Sequence, residues 1–292
     1  MDLRIDVQAL EGSGTDPDFI ALNDPAAPGS PTEAPPLHGG KGRLLRVALP
    51  PVLVLGSAGG SGASTTALGL AAAVRGGDTG KQVWPIAVDA TACGGDLAKR
   101  GADAAAPASS LQAWLEFPAP YRERGTSAAG CAGRSSSGAA VLPRTGDPLP
   151  GRNSFVSVHR DLVGAGWLPF YDGGAPVSNK SLSPLLADPT VALVITVAAR
   201  ADAVNRLQAA LKWLDDNYGQ FHLSDAVLVV TQQHPTPVAA ATEHVRKHLG
   251  KWVRAVTEIP FDLHLAEGGP VAWHRLSGET RAAYVHLLGE LR

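Results

Sequence analysis

The residues most capable of chemistry sit in one short stretch, GSAGGSGASTT, residues 56–66. Closely spaced glycines let successive backbone N–H groups turn toward a single point. With a helix N-terminus behind them, such groups cradle a phosphate, and a serine or threonine hydroxyl at the helix start can hold Mg²⁺. Gly59, Gly60 and Gly62 supply the amides, Ser61 and Ala63 complete the loop, and Ser64 and Thr65 supply the hydroxyls. The cation is missing. Ala63 stands just before Ser64, where a lysine would neutralise the outer phosphates.

Other chemistries also use a glycine-rich turn. Gly56, Gly60 and Gly62 have the spacing of a dinucleotide-binding turn, with Asp89 as a ribose acceptor, but none of Tyr121, Tyr171, Tyr218 and Tyr284 is followed four residues later by the lysine that short-chain dehydrogenases need. A serine nucleophile at Ser61, in Gly60-Ser61-Gly62, would need an acid and a histidine such as Asp172 and His264. A strand-to-helix turn without a ligand is the remaining reading.

The elements around the turn narrow these choices. PPVLVLG (50–56) is a continuous apolar run, as in a strand buried on both faces, and ASTTALGLAAAVRGG continues as a helix ended by glycine. QVWPIAVDA, GWLPFYDGG, TVALVITVAA, AVLVVTQ and WVRAVTEIP read as further strands. They alternate with helices over SSLQAWLEF, ADAVNRLQAALKWLDDNYG, VAAATEHVRKHLG and SGETRAAYVHLLGELR. This alternation predicts an α/β fold with a mostly parallel sheet covered by helices on both faces, and ligands beyond the C-terminal strand ends. The glycine turn, Asp89, Asp172 and Thr231 all fall at such ends.

Composition limits the remaining possibilities. The 292 residues carry a formal charge of −2, so no overall basic field draws the chain to nucleic acid, and direct DNA binding is not indicated. Cys93 and Cys131 form no metal-binding spacing, and no apolar stretch is long enough to span a membrane, so a cytoplasmic location is expected. Residues 1–42 are rich in Pro, Gly, Asp and Ser and read as a disordered tail, with the domain running over 43–292 and a flexible insertion at about 118–153. Arg, Ala and Gly abound and Ile is scarce, a bias matching a high-GC bacterium such as an actinomycete.

Weaker signals have plainer accounts. His244 and His248 lie one helical turn apart, but Arg246 and Lys247 between them mark a solvated basic face and no third ligand is evident. Trp213, Trp252 and Trp273 read as packing residues, and Tyr284, Leu287, Leu288 and Leu291 as the apolar side of a helix packed on the sheet.

From about Val47 to its end the chain resembles the ParA/MinD family of P-loop ATPases, including the related domains found beside actinobacterial type VII secretion genes. The resemblance rests on GSAGGSGASTT against the family's S-G-K-G-G-x-G-K-T-T loop and on VDATACGGDLAKR against its switch segment. LPFYDGGAP is similar to its Walker B strand, VALVITVAARADAVNRL to the strand and helix that follow, and IPFDLHLAEGGPVAWHRLSGETRAAYVHLLGEL to its C-terminal segment. It implies a three-layer P-loop NTPase-like fold.

The resemblance also implies roles. Gly59, Gly60 and Gly62 become the phosphate cradle, Ser64 the Mg²⁺ hydroxyl, Thr65 an α-phosphate contact, Asp89 the carboxylate orienting water, and Asp172 the Walker B residue acting on Mg²⁺. Thr231 and Gln232 stand where the family reads adenine, and Pro260 and Asp262 where it encloses the base. Yet Ala58 and Ala63 replace the family's two lysines, Ser57 its leading glycine and Thr91 its second switch aspartate. Phosphoryl transfer depends on electrostatic positioning, so losing both cations implies a pseudo-ATPase or weak binder of ATP and Mg²⁺ with a regulatory role in partitioning, mobile-element maintenance or secretion. Its partner would be a ParB-like, conjugation or secretion protein, with a homodimer as a further expectation. The alternative is a slow ATPase completed by a cation from a partner or a second chain.

Overall fold

The computed structural model describes residues 49–76, 83–118 and 127–292, all within the unit Leu37–Arg292. The tail expected over 1–42 and the domain start near Arg43 lie outside the described residues.

In chain order the principal elements are β1 (Val52–Gly56), α1 (Ala63–Gly76), β2 (Trp84–Asp89), α2 (Leu97–Gly101), α3 (Leu111–Glu116), β3 (Gly133–Arg134), β4 (Ala140–Leu142), α4 (Ser154–Gly164) and β5 (Trp167–Gly174). There follow α5 (Ser183–Leu186), β6 (Ala192–Ala198), α6 (Ala201–Tyr218), α7 (Gln220–Ser224), β7 (Val227–Thr231), α8 (Ala239–Leu249), β8 (Ala255–Ile259), α9 (Leu263–Ala266) and α10 (Gly278–Glu290). The strands form one sheet in the order β3-β4-β2-β5-β1-β6-β7-β8, and every pairing except β3 with β4 is parallel.

The apolar run of β1 is explained by its place between β5 and β6, where all five residues are buried. Val52 and Val54 face a core shared with α1 and α10, and Leu53 and Leu55 face a second core built with α3, α4, α6 and α8. Alternate side chains therefore feed opposite layers, each fully buried one contributing on the order of 1.5–3 kcal/mol. The result is the three-layer α/β architecture expected from the alternating pattern.

Small side chains let α1 fit between the sheet and α10. A Cβ on Gly69 would lie 2.3 Å from the Tyr284 ring, so only glycine admits that ring at this distance. Tyr284 is fully buried and its hydroxyl donates to Thr65 O at 3.4 Å. At the start of α10, the Ser277 hydroxyl accepts from the Thr280 N–H at 3.1 Å, a capping bond that fixes where the helix begins.

One expectation needs correction. Of the insertion expected at about 118–153, the described residues include a 3-10 turn at Ala128–Cys131 and the strands β3 and β4. Val141 and Leu142 are completely buried, and β4 pairs in parallel with β2. Composition obscured this because the three-residue strand is flanked by Gly, Ser and Pro; pairing to the β2 edge makes it a strand. The next segment, α4, buries Phe155, Val158 and Leu162, whose i, i+3, i+7 spacing marks an amphipathic helix.

Candidate functional site

The glycine turn is held from three sides. Ser57 N–H donates to Thr196 O at 2.9 Å as β1 ends, and Thr66 N–H donates to Gly62 O at 2.8 Å as α1 begins. The buried Ser61 hydroxyl lies 3.0 Å from that of Thr196, and Thr231 donates its hydroxyl to Ser61 O at 3.1 Å. Gln233 Nε2 donates to Gly60 O. Gly60 and Gly62 have φ of 74° and 88°, and a Cβ on Gly62 would lie 3.0 Å from the Thr231 methyl. Glycine at 62 is required by conformation and by space together. Behind the turn, α1 runs fourteen residues with its first N–H groups directed toward the loop, the arrangement that attracts an anion.

Two carboxylates lie beside the loop on adjacent strands, since Asp89 and Asp172 are register partners of β2 and β5. Asp89 is buried and both its oxygens are bonded: Oδ1 accepts from the Thr91 N–H at 3.1 Å and hydroxyl at 2.6 Å, and Oδ2 accepts from the Gly95 N–H at 2.8 Å. Asp172 is different. It accepts from the Gly174 N–H at 3.1 Å, and the Ser64 hydroxyl is near enough to favour its charged form, but its Oδ2 is buried without a hydrogen-bond partner. Burial chiefly, with the nearby charge of Asp89, raises its pKa to about 7 against the lowering effect of those two groups.

An unpartnered buried carboxylate oxygen beside a serine hydroxyl at a helix start fits a divalent cation, because such an ion would replace the lost solvation and draw the proton off. Ser64 and Asp172 would hold Mg²⁺, and the loop amides an attached phosphate. The donor set therefore suits Mg²⁺ and a phosphate, whereas the cations that would normally accompany them are absent from positions 58 and 63.

A hollow of about 470 Å³ opens from the loop, with Gly62, Thr65, Arg100, Thr231, Pro260 and Asp262 in its wall. The sequence-predicted residues Gly60 and Gln232 also line it. Gln232 is held by Glu258, Thr242 and the Val238 N–H, which occupy its amide. Asp262 caps α9 through the His264 and Leu265 N–H groups at 2.9 and 3.4 Å and accepts from Ser277 N–H at 2.9 Å. Burial pushes its pKa up, but the bonds from Ser277, Thr280, Leu265 and His264 outweigh that, so it lies below the usual carboxylate value.

Solved structures with the same arrangement decide the architecture. A ParA family ATPase from Chlorobium tepidum superposes with a TM-score of 0.63 at 14% identity, covering 83% of this chain and 99% of that one. The Pyrococcus furiosus cell division ATPase MinD gives 0.56 at 17% identity, covering 82% and 97%. A Cyanothece McdA variant in complex with ATP gives 0.56 at 13% identity, covering 84% and 97%. The chain has the ParA/MinD fold. No protein-family model and no characterised protein sequence matches it.

In this ParA/MinD fold the serine-nucleophile reading loses its geometry. Ser61 bonds Thr196, His264 Nε2 accepts from the Ala272 N–H at 3.1 Å, and among the described residues no hydrogen bond links Ser61, His264 and Asp172. The His244 and His248 rings lie tilted with centroids 4.5 Å apart, and among the described residues no three His, Cys, Asp or Glu side chains cluster as a metal site, so this pair gains no third ligand of that kind. No described helix is long and apolar enough to cross a membrane.

Sequence reasoning offers Arg100 as a stand-in cation but discounts it, because Lys99 and Arg100 together look like a solvated helix end. Arg100 is instead half-buried, lines the same hollow as Thr65, and has its Nε buried without a partner. The contact that places it is non-local: Val271 N–H donates to Arg100 O at 2.7 Å. No local sequence signal could have shown this.

Proposed function

We propose that this ParA/MinD-fold protein binds ATP with Mg²⁺ but does not turn it over appreciably, and acts by docking to a protein partner in partitioning, mobile-element maintenance or secretion. One observation supports the reading above all: the loop, Ser64 and the unpartnered Asp172 retain the form of a Mg²⁺–phosphate site, while both lysine positions hold alanine.

In this reading Gly59, Gly60 and Gly62 present N–H groups to the phosphates, Ser64 and Asp172 hold Mg²⁺, and Thr65 meets the α-phosphate. Thr231 keeps the loop in place, and Gln232, Pro260 and Asp262 shape the pocket for the base. Arg100 provides a cation from the wall of the hollow. The Mg²⁺ bound with ATP would supply the positive charge that Asp172 faces. Asp89 can still position water, but without either lysine the charge developing on a transferred phosphoryl group lacks the cations that would flank it beside Mg²⁺, which lowers the rate by several powers of ten.

Titration calorimetry of the full chain with ATP and Mg²⁺, followed by a phosphate-release assay, tests this. Saturable binding without turnover is expected. Absence of binding would defeat the proposal. Turnover would favour the second reading, a slow ATPase completed by a cation from a partner or another copy of the chain, which draws support from the intact bonding of Asp89. In that case Ser64→Ala and Asp172→Asn should each abolish the activity.

A further inference from the structure

A second hollow, of about 850 Å³, contains Arg144, Arg152 and Lys180 in its wall, and among the described residues no carboxylate lines it. Arg144 follows β4, inside the stretch whose composition suggested an exposed insertion. It is only 8% exposed. Its guanidinium donates to two carbonyl oxygens, Thr91 O and Asp147 O, the latter at 3.5 Å, and its Nε is buried without a partner. The carboxylates of Asp89 and Asp147 are engaged elsewhere, by Thr91 and Gly95 and by the Thr145 hydroxyl respectively. Burial lowers the Arg144 pKa, against the raising effect of Asp89 and Cys93.

A buried cation without a contacting counterion is costly, and carbonyl oxygens offset only part of that cost. Arg152 and Lys180 add positive charge at the exposed rim, and no ion pair joins either to a described carboxylate. The space is larger than a single phosphate group occupies. Its wall also holds the amide of Asn153 and the rings of Trp213 and Tyr218, which suit an extended chain bearing spaced acidic groups better than a compact ion.

We infer that this hollow is a docking site for an acidic peptide segment of a protein partner, with Arg144 as the buried anchor and Arg152 and Lys180 as rim contacts. Charge complementarity identifies the occupant's chemistry. None of its wall residues lines the hollow beside the phosphate loop.

Fluorescence anisotropy of a labelled oligoglutamate peptide titrated with the full chain at low salt reads the site directly. Saturable binding that weakens with added salt is expected. The exposed pair Arg152→Glu with Lys180→Glu should weaken it at least about tenfold. Arg144→Gln should do the same, and if that buried substitution prevents folding the exposed pair still carries the test. The control pair Arg246→Glu with Lys247→Glu, on the exposed basic face of α8, should leave binding unchanged. Absence of saturable binding, equal loss in the α8 control, or complete displacement by equimolar inorganic phosphate would each overturn the inference.

Discussion

The glycine loop and the second hollow carry opposite imbalances. Beside the loop, a buried carboxylate oxygen of Asp172 has no partner, and in the wall of the second hollow a buried guanidinium nitrogen of Arg144 has none. Each imbalance is costly without a ligand and becomes favourable when a ligand of opposite charge arrives. The first calls for a cation and the second for an anion. The loop has its shape but alanine at positions 58 and 63, while Arg144, Arg152 and Lys180 gather in a region whose sequence does not look like a site.

The largest effect that would sharpen this contrast concerns Asp172. Its folded-state pKa, about 7, lies above its ordinary 3.8, so the folded chain keeps a proton that the unfolded chain has lost. The stability this contributes is fully present below about pH 4 and disappears as pH rises through about 7, a change of roughly 4 kcal/mol without Mg²⁺. Asp172→Asn should remove that slope in chemical denaturation run from pH 4 to 8. A slope unchanged in the variant would show that Asp172 is not the unbalanced group.

Gly62→Val comes next, because it forces a β-branched residue into a positive φ and toward the Thr231 methyl. A destabilisation of about 3 kcal/mol is expected, together with loss of any nucleotide-dependent thermal shift. A scaffold control is Gly133→Ala in β3, whose Cβ would lie 2.6 Å from the Ala105 carbonyl oxygen and which lines neither hollow. It should cost about 1–3 kcal/mol while leaving ATP affinity of the folded fraction intact. If affinity fell in proportion, the loop would depend on packing more than on its own geometry. Smallest is Arg100→Ala, expected to weaken ATP about fivefold to tenfold in calorimetry, with Arg100→Lys partly restoring it.

How much could be read beforehand differs between the same two regions. The strand, turn and helix around residues 50–77 were visible because apolar runs, glycines and alanines carry their meaning locally. Asp89 and Asp172 could be placed at strand ends by the same alternation, although their adjacency depends on β5 entering the sheet between β2 and β1. The second hollow was hidden for a physical reason. Arg144 follows a three-residue strand among Gly, Ser and Pro, and only its pairing with β2 brings it against Thr91. Arg100 was hidden likewise, since a contact from Val271 and not its local sequence turns it inward. The segment of α4 could have been found from Phe155, Val158 and Leu162, had the low-complexity run before it not suggested a longer loop.

Ala63→Lys tests the central claim most directly, because it returns charge to a loop whose shape is already present. Calorimetry of the variant with ATP and Mg²⁺ should show affinity at least about tenfold above that of the parent chain. Unchanged affinity in a folded variant would contradict the account, since charge would then not be what the loop lacks.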